Sequence, residues 1–110
     1  MSQPVALGKT PVLSPAPDEL DVSVLIPVLN EADTVLELSR RIADVLDRLG
    51  RTFEILFVDD GSSDGTPKRV REARERDPRV KLVRLRRNFG KAAALCAGFD
   101  YCNGRIIITP

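Results

Sequence analysis

Phe53-Glu54-Ile55-Leu56-Phe57-Val58-Asp59-Asp60-Gly61-Ser62-Ser63-Asp64-Gly65-Thr66 decides how this chain folds. Its apolar run is long enough for one buried strand and stops at two adjacent carboxylates, Asp59 and Asp60. A glycine-bracketed turn follows, and Thr66-Pro67 has the form of a helix start, with proline at the first helical position. Acids at the carboxyl end of a buried strand lie in the crevice where open α/β sheets bind ligands. There they can accept hydrogen bonds from the hydroxyls or ring N–H of a nucleoside. The plainer alternative is that both acids only cap the turn and the next helix. One acid would suffice for that, and capping would not require a matching loop after the first strand.

Outward from this stretch the pattern repeats. Val22–Val28 is a β-rich run broken by Pro27. The spacing of Val35, Leu38, Ile42, Val45 and Leu49 predicts a helix over Thr34–Leu49, with Asp33 as N-cap and Gly50 as its stop. Phe53–Val58 is the second strand, and the helix opened by Thr66-Pro67 must end by Asp77-Pro78. Val80–Leu85 is a third strand whose arginine and lysine neighbours suit a sheet edge. Lys91–Tyr101 is a third helix with Ala92, Leu95, Cys96 and Phe99 inward, and Arg105–Thr109 a fourth strand. Strand–helix alternation with short links implies a parallel sheet with right-handed crossovers. The fold class is therefore α/β, a Rossmann-like β-α-β-α-β-α-β unit over residues 21–110. Residues 1–20 hold Pro4, Pro11, Pro15 and Pro17 with no apolar period and read as a disordered tail.

At 110 residues there is room for one domain. The apolar share of 43% and charged share of 30% fit a soluble globular chain, and no run approaches the ~20 apolar residues of a membrane span. The start lacks the features of a secretory signal. Cys96 and Cys102, six apart on one predicted helix, suit neither a disulfide nor a shared metal and read as small core residues in a reducing compartment. The location expected is cytoplasmic or at a membrane surface. Charge is unevenly spread. Residues 1–65 carry 5 basic and 12 acidic side chains, residues 66–91 carry 11 and 3. The basic segment could meet a phosphate-bearing ligand, an anionic membrane or nucleic acid, or be a solvated face. With five aromatics and no stacking platform among the arginines, nucleic acid is disfavoured.

The loop after strand one, Pro27-Val28-Leu29-Asn30-Glu31-Ala32-Asp33, has no glycine. This excludes a dinucleotide-binding site, whose backbone must approach a pyrophosphate, and equally a glycine-rich methyltransferase loop. A Walker A loop is absent, and a receiver domain would place its acid pair after strand one. Three stretches remain: Ser23-Val24-Leu25-Ile26-Pro27-Val28-Leu29-Asn30-Glu31, then Val58 to Thr66, then Arg84-Leu85-Arg86-Arg87-Asn88-Phe89-Gly90-Lys91-Ala92-Ala93-Ala94-Leu95. In this order the chain resembles the N-terminal half of a family 2 glycosyltransferase of GT-A fold, the third stretch being similar to the branch acting on polyprenyl or dolichyl phosphate. That branch includes dolichyl-phosphate mannosyltransferases.

The resemblance implies inverting transfer of a sugar from a nucleotide diphosphate-sugar to a lipid phosphate. It implies that Pro27, Leu29 and Glu31 line the base and ribose pocket, and that Val58 and Asp60 close it, with Asp59 beside them. Leu29 stands where tyrosine is frequent. Glu31 can equally be a favourable first-turn acid. Lys91, Arg86 and Arg87 can be phosphate contacts or surface cations. The resemblance also implies a divalent cation, Mg2+ or Mn2+, on an Asp-x-Asp element at the end of strand four. No Asp-x-Asp occurs in these residues, so they are expected to supply no metal ligands and, as an isolated chain, no turnover. The expected sheet order is 3-2-1-4, with strand four an apolar edge prone to self-association. The rival reading is a non-catalytic module that binds nucleotide or protein through the same crevice.

Overall fold

A computed structural model describes residues 20–110; the expected tail lies, except for Leu20, outside them. Strands Leu20–Val28 (β1), Phe53–Asp59 (β2), Val80–Arg84 (β3) and Gly104–Ile108 (β4) alternate with helices Val35–Arg48 (α1), Thr66–Arg76 (α2) and Lys91–Phe99 (α3). All strand pairs are parallel, in the order β3-β2-β1-β4, as expected. β2, buried along its whole length, is the hydrophobic axis of the sheet.

Side-chain alternation along β2 divides the core. Phe53, Ile55 and Phe57 pack with Val35, Ala43 and Leu46 of α1 and with Val70 and Ala73 of α2. Leu56 and Val58 point the other way and pack with Leu25 and Ala94 under α3. Because the chain runs β1, β2, β3 in one direction and then crosses back to β4, the sheet has a reversal point between β1 and β4, where such folds open a crevice.

Three expectations about the helices are corrected. α1 presents Val35, Ser39, Ala43 and Leu46 to the core, while Val45 and Leu49 are 53% and 65% exposed. The small Ser39 and Ala43 let the helix sit close to the sheet. Likewise α3 buries Ala94 and Gly98, leaving Ala92, Cys96 and Phe99 exposed. A Cβ at Gly98 would lie 2.3 Å from Leu25 Cδ1 and 2.8 Å from Val58 Cγ2, so a side chain there would force the core beneath to shift. Cys96 is therefore a surface residue; Cys102 lies beyond the end of α3, half-buried, and both thiols are free. Lastly, the N-cap of α1 is Thr34, not Asp33, and no side chain caps it. At the other end, Gly50 at φ +69° turns the chain out of the helix.

One polar group sits inside this apolar frame. Glu54, 1% exposed, accepts hydrogen bonds at Oε2 from Ser23 Oγ (2.6 Å) and Asn103 N–H (2.6 Å). Its Oε1 meets Lys81 Nζ at 2.8 Å. Ser23 Oγ in turn accepts the Gly104 N–H at 2.7 Å. Burial pushes the Glu54 carboxyl up, but the Lys81 ammonium, Ser23 hydroxyl and Asn103 N–H outweigh it and hold the group below its ordinary value of 4.5. A carboxyl depressed on folding contributes stability that is fully present above the unfolded value and drains as pH falls through the folded one. Urea unfolding should therefore show an acid limb, beginning below pH 4.5, that is shallower in Glu54→Gln than in the parent chain. Identical limbs would mean that the clamp does not titrate.

Candidate functional site

Three loops meet at the carboxyl ends of β1, β2 and β3. The first two are laced together by side chain to backbone bonds. Asn30, at φ +53°, accepts at Oδ1 from the N–H groups of Ser63 (2.9 Å) and Asp64 (3.3 Å). Its own N–H donates to Ser62 Oγ at 2.9 Å, and the Glu31 N–H donates to Thr66 Oγ1 at 2.8 Å. Asp64 accepts from the Thr66 hydroxyl and N–H and from the Ala32 N–H, bonds that hold its carboxyl below the usual range. Asn30 thus links the loops rather than capping α1, and Ser62 and Asp64 stabilise the turn, as their types suggest.

The third loop is tied by Asp60. Its carboxylate, 5% exposed, takes the Phe89 N–H at 2.8 Å on Oδ1 and the Gly90 N–H at 3.1 Å on Oδ2, while its own N–H bonds Val28 O at 2.9 Å. Gly61 makes the crossing possible. At φ +84° it lies so close to the third loop that a Cβ would sit 2.5 Å from Arg87 C and Asn88 N.

Between these loops is a cavity of about 380 Å³ lined by Pro27, Val28, Leu29, Glu31, Asp60, Asn88, Gly90 and Lys91. Five of the seven residues singled out from the sequence meet here: Pro27, Leu29, Glu31, Asp60 and Lys91. Val58 and Asp59 do not line it. Val58 is wholly buried beneath α3 by the alternation of β2. Asp59, also wholly buried, takes the Ser62 N–H on Oδ1 at 3.1 Å. Its Oδ2 has no hydrogen-bond partner among the described residues, with Arg84 Nε 3.7 Å away. Sequence reasoning missed Val28, Asn88 and Gly90, although the motifs containing them were in view. A larger hollow of about 460 Å³ lies between α1 and α2. Its Arg79 is already paired with Asp47 (2.8 Å) and Asp77 (2.9 Å), and it is away from the strand ends where the loops converge.

The wall of the loop cavity is chemically divided. Glu31 and Asp60 offer carboxylate oxygens, Pro27 and Leu29 an apolar side, and Lys91 a cation at the start of α3. That set suits a ligand with hydroxyl and N–H donors, a flat apolar face and an anionic tail. No group of three or more His, Cys, Asp or Glu side chains among the described residues could hold a metal ion. These residues do not by themselves fit a bound divalent cation.

Residues 23–110 match the model of glycosyl transferase family 2, and the chain belongs to that family. It is 46% identical over 89 residues to an undecaprenyl-phosphate 4-deoxy-4-formamido-L-arabinose transferase of Edwardsiella ictaluri, an alignment covering 80% of this chain and 27% of that protein. The chain thus spans about a quarter of that relative's length. Among solved structures it is similar to a mannosyltransferase of Pyrobaculum calidifontis in complex with GDP-Man and Mn2+. The TM-score is 0.62 at 29% identity, over 91% of this chain and 30% of that one. A glucosyl-3-phosphoglycerate synthase of Mycobacterium tuberculosis, with Mn2+, UDP and glucosyl-3-phosphoglycerate, shares the fold at TM-score 0.63 and 23% identity, over 82% and 33% of the two chains. The parallel sheet with alternating helices is the GT-A architecture.

Asn30 supplies the test of the lacing. Asn30→Ala removes the acceptor for two backbone N–H groups and places a Cβ-bearing residue without a local hydrogen bond at positive φ, a combined cost of about 1–3 kcal/mol. Asn30→Gly keeps the conformation and loses only the acceptor, so it should fall between parent and Asn30→Ala in urea unfolding. Equal stability of all three would show the loops are held some other way.

Proposed function

We propose that these residues are the nucleotide-sugar-binding half of an inverting glycosyltransferase that moves a sugar from a nucleotide diphosphate-sugar to a polyprenyl phosphate. The supporting observation is the convergence of Glu31 and Asp60, from successive crossover loops, on one cavity with Pro27, Leu29 and Lys91. Glu31 and Asp60 accept from ribose hydroxyls or base N–H groups on two sides. The two N–H bonds to Asp60 leave lone pairs free, since an ionised carboxylate has about four acceptor sites. Pro27 fixes the loop at low entropy cost, Leu29 forms the apolar wall, and Lys91 lies toward the phosphates. Val58 and Asp59 act from beneath, as packing and as the anchor of the turn.

In the reaction a lipid phosphate oxygen attacks the anomeric carbon from the side opposite the nucleotide. A new carbon–oxygen bond forms as the bond to the nucleoside diphosphate breaks, which inverts that carbon. The attacking phosphate is already ionised at neutral pH, so this chain need supply no general base. Bound Mg2+ or Mn2+ would neutralise charge on the departing diphosphate, held by residues other than those described here. The relative's name specifies undecaprenyl phosphate and the solved neighbours hold GDP-Man or UDP with Mn2+, which supports this donor, acceptor and metal. A lipid acceptor places the work at a membrane surface; no described helix is long and apolar enough to cross one.

Calorimetric titration with UDP and GDP, with and without Mn2+, tests the pocket. One nucleotide should bind in preference, and Asp60→Ala should weaken it at least about ten-fold, the scale of one charge-assisted hydrogen bond. Indistinguishable affinities of parent and variant would remove the pocket as described.

The reading also assigns β4 to an interior position. Ile106, Ile107 and Ile108 are exposed along a strand with one neighbour. Residues 1–110 alone should self-associate through this edge. Analytical ultracentrifugation should show concentration-dependent species that Ile106→Lys/Ile108→Lys reduces to monomer; a monomeric parent at all concentrations would count against it.

A further inference from the structure

The basic segment of the sequence is one margin of the molecule. β3 is an outer strand of the sheet, α2 packs against it, and the loop after β3 leads to the cavity. Within residues 66–91 two of the three acids are already engaged, Glu72 with Arg69 at 2.6 Å and Asp77 with Arg79 at 2.9 Å. Lys81 is held by Glu54, and Arg84 faces Asp59. Lys68, Arg71, Arg76 and Arg86 are exposed and have no acidic partner among the described residues. The tip of the margin, Arg86-Arg87-Asn88-Phe89, is exposed throughout. Its Phe89 ring is 49% accessible, with the Arg87 guanidinium 4.6 Å from its centroid.

We propose that this margin docks on an anionic lipid bilayer, with the free cations over the headgroups and Phe89 at the interface. Cations near an anionic leaflet each strengthen partition by roughly five-fold, and an aromatic ring beside them suits the headgroup boundary. A single-stranded nucleic acid is the weaker match. It calls for several stacking rings among the cations, and Phe89 is the sole aromatic of residues 66–91. The tip adjoins Asn88, Gly90 and Lys91 of the cavity wall, so docking would hold the nucleotide crevice close to the surface that carries a lipid acceptor. The proposal draws on the function above for that last step only. Its charges on α2 lie outside the pocket.

Co-sedimentation with vesicles of phosphatidylcholine alone, or with about 30% phosphatidylglycerol, at ~0.1 M and ~0.5 M salt tests it. The chain should sediment with anionic vesicles only and be released at high salt. Lys68→Glu/Arg71→Glu/Arg76→Glu should lose at least about thirty-fold in partition with nucleotide titration unchanged. Phe89→Ser should lose several-fold at constant charge. Equal binding to neutral vesicles, or binding that survives the charge reversal, overturns the proposal. So does tighter retention on a single-stranded RNA that displaces the vesicles, which would assign the margin to nucleic acid. Vesicle binding as expected with no nucleotide binding would leave the docking surface standing and remove the pocket alone.

Discussion

A single buried carboxylate fixes the arrangement on which the rest of the molecule depends. Glu54 is on the central strand β2, yet its oxygens reach Ser23 on β1, Lys81 on β3 and Asn103 at the entrance to β4. A carboxylate taken from water is costly unless its lone pairs are filled and a counter-charge is near. Here both conditions are met only when all four strands are in place. Ser23 extends the clamp by taking the Gly104 N–H, which sets β4 against β1 with Leu20 opposite Gly104. The glycine is required, because a Cβ there would lie 2.4 Å from Ser23 N. With β4 returned to the far side of β1, the reversal in strand order exists, and with it the crevice.

The crevice is then shaped by bonds that cross between loops. Asn30 and Asp60 have the same function on different pairs: each offers side-chain oxygens to backbone N–H groups of a loop roughly thirty residues away. Such bonds replace water on backbone donors that would otherwise be unmet near a buried strand end. They also hold the cavity walls in place before any ligand arrives, so a ligand meets a site whose ordering cost has largely been met by folding. Asp60 both ties the third loop through two N–H bonds and lines the cavity.

Much of this was legible in the sequence, and the failures have a common physical source. Strands and helices could be read because apolar runs and helical spacing are punctuated by Pro27, Gly50, Pro67 and Pro78, each of which acts on the backbone locally. Topology followed from alternation and the handedness of crossovers. What escaped was facing. The large apolar residues of α1 suggested one stripe, but Ser39 and Ala43 allow a nearer approach, so the helix turns its small side inward. On α3 Gly98 does the same, and Cys96 and Phe99 are carried to the surface. Pro27, Leu29, Glu31, Asp60 and Lys91, named from the motifs that carry the resemblance, line the cavity. Val58, named through the resemblance, and its neighbour Asp59 lie outside the lining, Val58 packed beneath α3 and Asp59 tied to the Ser62 N–H. Asn88 and Gly90 escaped because their loop is brought to the wall by N–H bonds that Phe89 and Gly90 donate to Asp60, across about thirty residues of sequence.

The two margins of the sheet show how the chain distinguishes a surface from an interior. β3 has Lys81 and Arg84 along an outer strand and is followed by Arg86 and Arg87, charges that make edge-to-edge pairing unfavourable. β4 carries one charge, Arg105. Beyond Arg105 its exposed side chains are Ile106, Ile107 and Ile108, and beside them Ile42 and Val45 of α1 form an apolar trough with Val24 and Leu46. Three consecutive isoleucines project to both faces of a strand, so both faces as well as the edge ask for cover. The two margins differ in chemistry: the basic one carries charge along and beyond its strand, the isoleucine one presents an apolar surface.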